Sequence, residues 1–315
     1  MAPAALLDKL EWLVVGKRQP AVWTVAALIA GGHVLVEDVP GVAKTRLAQA
    51  LARLLDLTFA RIQATPDLLP SDITGGLIFE PVAGTMEFRA GPVFHQLVLI
   101  DEINRATPRT QSALLEAMEE FQVSADGVTH VLPDPFFVVA TANPVEMSGT
   151  FPLPEAQKDR FLLSFAMGYP TVEEEMEMIR RFADDDPLPR EPAVANAAEV
   201  LRWRAEARKV LVSEAVSRYV VDLAQKSRQH PQVLLGASPR AVVQWIRVLK
   251  AYAWVQGRSY ATPDDVQDLM PVVLGHRLVI PGGVRGASFH ERQQAVRDVI
   301  GEVMAQVPVP VETLP

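Results

Sequence analysis

Residues 34–46 read Val-Leu-Val-Glu-Asp-Val-Pro-Gly-Val-Ala-Lys-Thr-Arg. An apolar run, a Pro-Gly turn and residues that can start a helix predict a buried strand, a tight loop and a first helical turn. In such a loop, backbone N–H groups converge on phosphates, a lysine reaches the β and γ oxygens, and a hydroxyl holds Mg²⁺. Lys44 and Thr45 would fill the last two roles. Taken alone, the stretch could equally be a strand, a turn and a helix that bind no ligand.

The loop departs from the usual pattern G-x-x-x-x-G-K-[ST] at both glycine positions. Asp38 stands at the first glycine and Ala43 at the second, whereas Gly41 lies inside the loop. Ala43 is compatible with phosphate binding if its φ is negative, because N–H groups and not side chains contact the phosphates. Asp38 would bring a negative charge close to the phosphates and could weaken binding.

Size and composition indicate a soluble globular protein of about two domains. The chain has 315 residues, of which 49% are hydrophobic and 22% charged, and its net charge is -8. That charge argues against a dedicated duplex-DNA binder, and the absence of cysteine excludes disulfides and thiolate chemistry. The longest apolar stretch, 21–32, is shorter than the roughly 20 residues of a membrane span. With no secretory signal at the N-terminus, we expect no membrane span and a cytoplasmic location.

Helical and strand patterns alternate up to residue 166, which is typical of a parallel sheet covered by helices. Two glycine-containing segments, about 73–93 and 121–132, are predicted as inserted hairpins. A proline-rich linker at 184–196 precedes a purely helical pattern. We therefore predict an α/β domain over 1–186 and an all-α domain over 190–315.

Two further apolar strands end in polar residues that suit phosphate chemistry. The run 97–102 ends in Asp101, which a strand could direct at Mg²⁺, and Glu102, which could polarise a water for in-line attack. The run 136–140 leads to Asn143, which could orient the same water. Each strand end has a simpler alternative, a helix-capping carboxylate pair or an Asn-Pro turn. Together with the loop, they favour ATP as the ligand.

Five motifs in a fixed order closely resemble those of the MoxR-type AAA+ ATPases, and the similarity covers nearly the whole chain. These motifs occupy residues 32–45, 69–75, 101–118, 153–161 and 236–241. The resemblance implies the AAA+ P-loop fold, a parallel sheet flanked by helices and followed by an all-α lid domain. It also implies ATP and Mg²⁺ as cofactors.

The resemblance carries roles over to individual residues. Glu102 would be the catalytic base, Asn143 the first nucleotide sensor, Arg160 an arginine finger that completes a neighbouring subunit's site, and Arg240 a second sensor on the γ-phosphate. Thr45 and Asp101 would hold Mg²⁺. The nucleotide-binding residues would be Val15 and Gly16 at the adenine, and Pro40, Gly41, Val42, Ala43, Lys44, Thr45, Arg46 and Asp101 elsewhere.

Both arginine assignments have alternatives that the residues alone leave open. The Asp-Arg-Phe triplet around Arg160 could be a surface ion pair worth under about 1 kcal/mol. Ser238-Pro-Arg240 is by itself only a good helix start. Arg105 and Arg109 also lie shortly after Glu102 in the chain.

The resemblance further implies a ring, expected to be a hexamer, that remodels, matures or inserts a cofactor into a client containing a von Willebrand factor A domain. Both hairpins would face the pore, with Phe79, Met86 and Phe88 as client contacts, although hairpin cores need such residues anyway. Two rivals remain: a ring motor that depends on nucleic acid, which the charge disfavours, and a nucleotide-gated binding module without hydrolysis, suggested by Asp38.

Overall fold

The computed structural model describes residues 3–39, 41–82, 84–125, 127–143, 149–280 and 289–311. In chain order its elements are α1 (Ala4–Leu13), α2 (Arg18–Ala30), β1 (Val34–Glu37), α3 (Lys44–Leu54), β2 (Phe59–Gln63), α4 (Pro70–Thr74), β3 (Gly75–Glu80), β4 (Thr85–Ala90), β5 (Leu97–Asp101), α5 (Pro108–Glu120), β6 (Gln122–Ala125), β7 (Val128–Val131), β8 (Phe137–Ala142), α6 (Glu155–Lys158), β9 (Leu163–Phe165), α7 (Val172–Phe182), α8 (Ala197–Ala207), α9 (Glu214–Gln229), α10 (Pro239–Val255), α11 (Pro263–Leu274) and α12 (Phe289–Gln306).

Five strands form one parallel sheet in the order β2-β5-β8-β1-β9. The three inner strands β1, β5 and β8 are largely apolar and buried, as is expected where helices cover both faces of a sheet. Along β5, Leu97 and Leu99 belong to the core on one face, whereas Val98 and Ile100 belong to the core on the other. The strands run in one direction, so their carboxyl ends share one edge of the sheet, which we call the carboxyl edge, and their amino ends share the amino edge. The predicted fold class is confirmed.

Two small hairpins stand outside the main sheet. β3 pairs with β4 and β6 with β7, both antiparallel. Phe79 and Met86 are 58% and 56% exposed on the first hairpin. Phe88, predicted with them as a client contact, instead stacks on His130 of the second hairpin with ring centroids 3.7 Å apart. Phe88 is therefore half-buried where the two hairpins meet, and its contact with a client stays a prediction.

The C-terminal helices α8 to α12 pack on the sheet domain through α10 on α2 and α11 on β9. Helices α8 to α11 each begin with a side-chain N-cap, supplied by Asn196, Ser213, Ser238 and Thr262. The predicted domain boundary at 186–190 falls between α7 and α8 and stays a prediction. None of the helices in the described ranges is long and apolar enough to cross a membrane.

Because His33 is buried, we expect the protein to lose stability in mild acid. Its Nδ1 accepts the Val138 N–H, so Nε2 carries the proton and donates it to the Met118 carbonyl, both at 3.0 Å. Burial lowers its pKa from 6.5 to about 4. Below about pH 6.5, His33 becomes protonated in the unfolded chain but stays neutral in the folded chain until the pH approaches about 4. This difference lowers the free energy of unfolding by about 2 kcal/mol at pH 5.

Urea unfolding at pH 7 and pH 5 measures this loss. In His33→Asn, an amide oxygen replaces the Nδ1 acceptor and does not titrate, so we expect the loss to shrink by about 2 kcal/mol. Some pH dependence should remain, because burial also lowers the pKa of His276. Equal losses in the wild type and the variant would contradict the role of His33.

Candidate functional site

The loop between β1 and α3 forms the first part of the site. Lys44 opens α3, and its Nζ donates to the carbonyls of Asp38 at 2.6 Å and Val39 at 3.1 Å. Burial lowers the pKa of Lys44, and three nearby carboxylates oppose that shift. Gly41 has φ +86°, and a Cβ added to it would meet nothing within 4 Å. The loop therefore holds the Lys44 ammonium at the carboxyl edge through two of its carbonyls, and the space next to Gly41 is open.

The Asp38 carboxylate serves the loop itself. It accepts the backbone N–H of Val39 through Oδ1 and that of Gly168 through Oδ2, both at 2.7 Å. The Gly168 carbonyl in turn accepts Nζ of the buried Lys17 at 2.9 Å. Asp38 thus ties the loop to the chain that follows β9, a role that its position in the sequence pattern did not reveal.

Ala43 does not have the negative φ under which the sequence analysis accepted an alanine before Lys44. Ala43 has φ +63° and ψ 21°, a left-handed conformation immediately before the first turn of α3. The chain makes the sharp turn that glycine makes in the common pattern, and the extra Cβ costs roughly 1–2 kcal/mol. Residue 43 therefore has the left-handed backbone conformation that favours glycine, although it is an alanine.

The ends of β5 and β8 bring the predicted catalytic residues to the same edge. Asp101 is buried at the end of β5, and it accepts from Arg61 Nε at 2.7 Å and Thr141 Oγ1 at 3.3 Å. Thr141 Oγ1 also accepts the Glu102 N–H at 2.9 Å. Asn143 is buried just beyond β8. The structure therefore gathers Lys44, Asp101, Glu102 and Asn143 at the carboxyl edge.

Glu102 stands in a strained backbone position. Its φ is +58°, in the left-handed region, and its Oε2 accepts from Gln63 Nε2 and Arg105 Nη1, both at 3.1 Å. Residues held in sparsely populated backbone regions cluster at functional sites. The strain turns this carboxylate out of β5, where it is held by two donors and partly open to solvent.

The oxygen atoms of Thr45 and Asp101 fit Mg²⁺. This ion prefers oxygen ligands and commonly uses one or two protein groups together with substrate phosphates and water. Thr45 lies partly buried on the first turn of α3 and Asp101 at the end of β5. A hydroxyl and a carboxylate are therefore available for the ion.

The remaining predicted nucleotide contacts surround the loop. Val15 and Gly16 lie between α1 and α2, and Gly16 faces the Glu174 carboxylate. Val42 belongs to the buried core, and Pro40 lies outside the described residues. The Arg46 side chain binds the Leu13 carbonyl, Asp186 and the Phe182 ring. A nucleotide contact of Arg46 would thus come from its backbone on the first turn of α3.

Arg160 and Arg240 meet at the amino edge, away from their own loop. Arg160 Nε and Arg240 Nη1 bind the two oxygens of Glu119, at 2.7 and 2.6 Å, and the Arg160 hydrogen bond lowers the Glu119 pKa most. His33, just before β1, fixes this position, because it binds the carbonyl of Met118 and the N–H of Leu162. The two ends of β1 are on the order of 10 Å apart.

Sequence reasoning missed the residues that hold the predicted ones in place. Glu119 lies in the last turn of α5 and belongs to no phosphate-binding pattern, and Gln63 and Thr141 lie at strand ends without a distinguishing neighbour. A search for polar residues at the ends of all five strands would have found Gln63 and Thr141. Nothing in the local sequence indicates that Glu119 joins two arginines distant from it in the chain.

Comparisons with known proteins agree with this geometry. The family of ATPases associated with various cellular activities (AAA) matches residues 33–163, and the AAA lid domain matches residues 225–300. Chaperone MoxR1 of Mycobacterium tuberculosis is 42% identical over 85% of this chain and 73% of its own. The chain belongs to the MoxR family of AAA+ ATPases. Protein MoxR of Methylorubrum extorquens, 31% identical over 94% and 92% of the two chains, is another relative.

The similarity of this MoxR-family chain extends to its three-dimensional structure. A crystal structure of a protein from Cytophaga hutchinsonii superposes with a TM-score of 0.87 at 36% identity. The match covers 98% of this chain and 94% of the other. Protein YeaC of Bacillus subtilis is 46% identical over 97% and 94% of the two chains. Similarity to these two proteins therefore extends over nearly the whole length of the chain.

Proposed function

We propose that the protein hydrolyses ATP, with Mg²⁺, at sites shared between neighbouring subunits of a ring. The observation that carries this proposal is the separation of the site residues. Lys44, Asp101, Glu102 and Asn143 lie at the carboxyl edge, whereas Arg160 and Arg240 share Glu119 at the amino edge. In this arrangement neither arginine reaches the loop of its own chain. Both are available to the loop of a neighbour.

The carboxyl-edge residues would bind the phosphates and direct water at them. Backbone N–H groups of residues 41–45 and the Lys44 ammonium would hold the β and γ phosphates. Thr45 and Asp101 would hold Mg²⁺, which neutralises charge on the phosphate oxygens. Glu102, steadied by Gln63 and Arg105, would accept a proton from the attacking water, and Asn143 would orient that water.

The amino-edge arginines would complete the site of the next subunit. An arginine supplied in trans stabilises the negative charge that spreads over the transferred phosphoryl group, by about 10³ to 10⁵ in rate. Glu119 holds Arg160 and Arg240 next to each other, so that one surface can present both. The γ-phosphate contact predicted for Arg240 is thus proposed between subunits and not within one chain.

Mixing two inactive variants tests the shared site. Arg160→Ala subunits keep an intact loop and Lys44→Ala subunits keep an intact arginine, so each variant alone should lose at least about 100-fold in ATP turnover. A 1:1 mixture should regain activity at about a quarter of its sites, where an intact loop meets an intact arginine. Turnover is measured at a fixed total protein concentration.

A chain that carries both substitutions is the matched control, because it provides neither half and must not rescue Arg160→Ala. Arg240→Ala is expected to behave as Arg160→Ala does when mixed with Lys44→Ala. Failure to recover activity at every mixing ratio, with ring assembly intact, would place Arg160 outside the neighbour's site.

We further propose that a ring, expected to be a hexamer, acts on a protein client in a chaperone-like way. The exposed apolar side chains of the first hairpin support protein contact, namely Leu77, Ile78, Phe79, Val82 and Met86. The family resemblance points to a client with a von Willebrand factor A domain, in maturation or cofactor insertion. Stimulation of ATP turnover by that client, and not by single-stranded DNA, would support this choice over a nucleic-acid motor.

A further inference from the structure

Helix α7 carries an apolar face that no described part of the chain covers. Val172, Met176 and Ile179 follow one another at helical spacing and are 71%, 50% and 59% exposed. Glu173 and Glu175 are exposed beside them, as is Arg180, whose guanidinium pairs with Glu177, and no residue of α7 is buried. Large apolar side chains aligned on a solvent-facing helix, with acidic neighbours, mark a surface that binds another molecule.

A groove with an apolar and basic lining lies between α8 and α10. Its volume is about 870 Å³, and its floor includes the apolar Val242, Val243 and Ile246. The described charged residues that line it are four cations and one carboxylate: Arg204, Arg208, Arg247, Lys250 and Asp134. Arg204 pairs with Asp134 at 2.9 Å. Arg208 and Arg247 have no ion-pair partner within the described ranges.

The two surfaces complement each other in charge and length. In a chain of net charge -8, a groove whose described lining carries four cations and one carboxylate favours an acidic partner with apolar anchors. The outer face of α7 supplies three apolar side chains and the carboxylates of Glu173 and Glu175, while the charge of Arg180 is paired with Glu177. From Val172 to Ile179 it extends about 10 Å, the same length as the α10 segment from Val243 to Lys250.

Each of the two surfaces lies beside one half of the proposed shared site: α7 lies beside the loop, and the outer face of α10 begins at Arg240. The inner side of α7 rests on the nucleotide-binding region, where the Arg46 guanidinium lies 4.3 Å from the centre of the Phe182 ring. The outer face of α10 begins with Arg240 and continues through Val243, Arg247 and Lys250 at helical spacing. Contact between Arg240 and a neighbour's loop would therefore bring this face of α10 towards the neighbour's α7.

We infer that the outer face of α7 in one subunit binds the groove between α8 and α10 of the next subunit, beside the shared nucleotide site. The inference rests on the proposed function for the order of the subunits. Because the two surfaces differ, the contact is head-to-tail, and its repetition gives a ring if it closes. The occupant of the groove is thus a second copy of this chain.

Charge exchange tests this contact without ATP turnover. One variant reverses the acidic side (Glu173→Arg with Glu175→Arg), and another reverses the basic side (Arg247→Glu with Lys250→Glu). Sedimentation velocity with a non-hydrolysable ATP analogue gives the concentration of half-assembly. Each variant alone brings like charges together, so we expect that concentration to rise about tenfold or more.

An equimolar mixture of the two variants is the decisive sample. Every contact between unlike subunits then joins opposite charges, because reversed acidic positions meet reversed basic ones and native positions meet native ones. Assembly should return to within about threefold of the wild type. A single chain with all four substitutions should recover equally. The control Arg218→Glu with Arg297→Glu, on the exposed surfaces of α9 and α12, has the same charge change as the basic-side variant and should assemble as the wild type does.

Several outcomes would overturn the inference. They are a wild type that stays monomeric at every concentration, reversed variants that assemble normally, and folded variants whose mixture does not recover. Loss of binding to an acidic peptide or to single-stranded DNA in the basic-side variant, with assembly unchanged, would assign the groove to that partner and would also overturn it. Where a reversal prevents folding, the Gln substitutions at the same positions replace it.

Failure of this test is distinguishable from failure of the proposed function. Assembly is measured without ATP hydrolysis, so the two tests are independent. If the charge-reversed variants assemble when mixed but Lys44→Ala does not rescue Arg160→Ala, then the contact between α7 and the groove is supported and Arg160 does not act in the neighbour's site. If Arg160→Ala is rescued but the mixed charge-reversed variants do not assemble, then the shared nucleotide site is supported and the contact between α7 and the groove is not.

Discussion

Replacing Glu102 by Gln is expected to slow ATP hydrolysis roughly 100- to 1000-fold while ATP binding changes less than about threefold, because a positioned general base contributes about 10² to 10⁴ in rate. The amide keeps the size of the carboxylate and can still accept a hydrogen bond from Gln63 or Arg105, which both bind Glu102 Oε2 at 3.1 Å. It cannot take the proton of the attacking water. Turnover and equilibrium binding of a fluorescent ATP analogue separate the two effects.

Glu116→Gln is the matched control for this substitution, since it makes the same chemical change on the exposed surface of α5. We expect it to leave turnover unchanged. If Glu102→Gln hydrolyses ATP as fast as the wild type, Glu102 is not the base. A wild type that binds ATP tightly without any turnover would instead favour the nucleotide-gated binding module.

Replacing Arg277 by Met is expected to lower the free energy of unfolding by about 3–5 kcal/mol, the cost of removing one partner from a buried ion pair. The Arg277 side chain is 3% exposed, and its Nε donates to Asp159 at 2.7 Å. It also donates to the carbonyls of Phe161 at 2.6 Å and Leu162 at 3.2 Å. Methionine fills much of the volume but removes the charge partner of Asp159, which keeps only the Ser238 hydroxyl among the described residues, and leaves the Phe161 carbonyl with His276 Nε2 alone. Urea unfolding at pH 7 measures the loss.

Arg297→Met provides the comparison for Arg277→Met, because it removes an exposed guanidinium of α12 that donates to glutamines of the same helix. It should cost under about 1 kcal/mol. Arg277→Lys should recover only part of the stability, because an ammonium cannot reproduce the planar fork that binds several acceptors. A cost of under about 1 kcal/mol for Arg277→Met would mean that the helical domain is held to β9 mainly by apolar packing.

The order of elements and the nucleotide-binding edge could be predicted from the sequence because their signals are local. A strand followed by a polar residue places that residue at the carboxyl edge whenever the sheet is parallel, and this rule alone brings Lys44, Asp101 and Asn143 together. The alternation of strands and helices in turn predicts the parallel sheet.

The contacts between distant segments could not be predicted in this way. Glu119 joins Arg160 and Arg240 across 41 and 121 residues of the chain, and the patterns around the arginines are the same with or without it. The Asp159–Arg277 pair, 118 residues apart, has no signal at either position. The left-handed Ala43 escapes prediction for a different reason. An alanine ordinarily favours a negative φ, but the turn into α3 requires the left-handed conformation whichever residue occupies the position.

The hydrogen bonds of Asp38 to Val39 and Gly168 have an evolutionary consequence. A relative that begins its phosphate loop with glycine loses the acceptor of the Gly168 N–H, and an intramolecular hydrogen bond of this kind contributes about 0.5–1.5 kcal/mol. The turn after β9 in such a relative must then change its course or recruit another oxygen. Position 38 and the turn at 168 are therefore expected to diverge together across descendants of a common ancestor, so that transplanting one without the other yields a poorly folded hybrid.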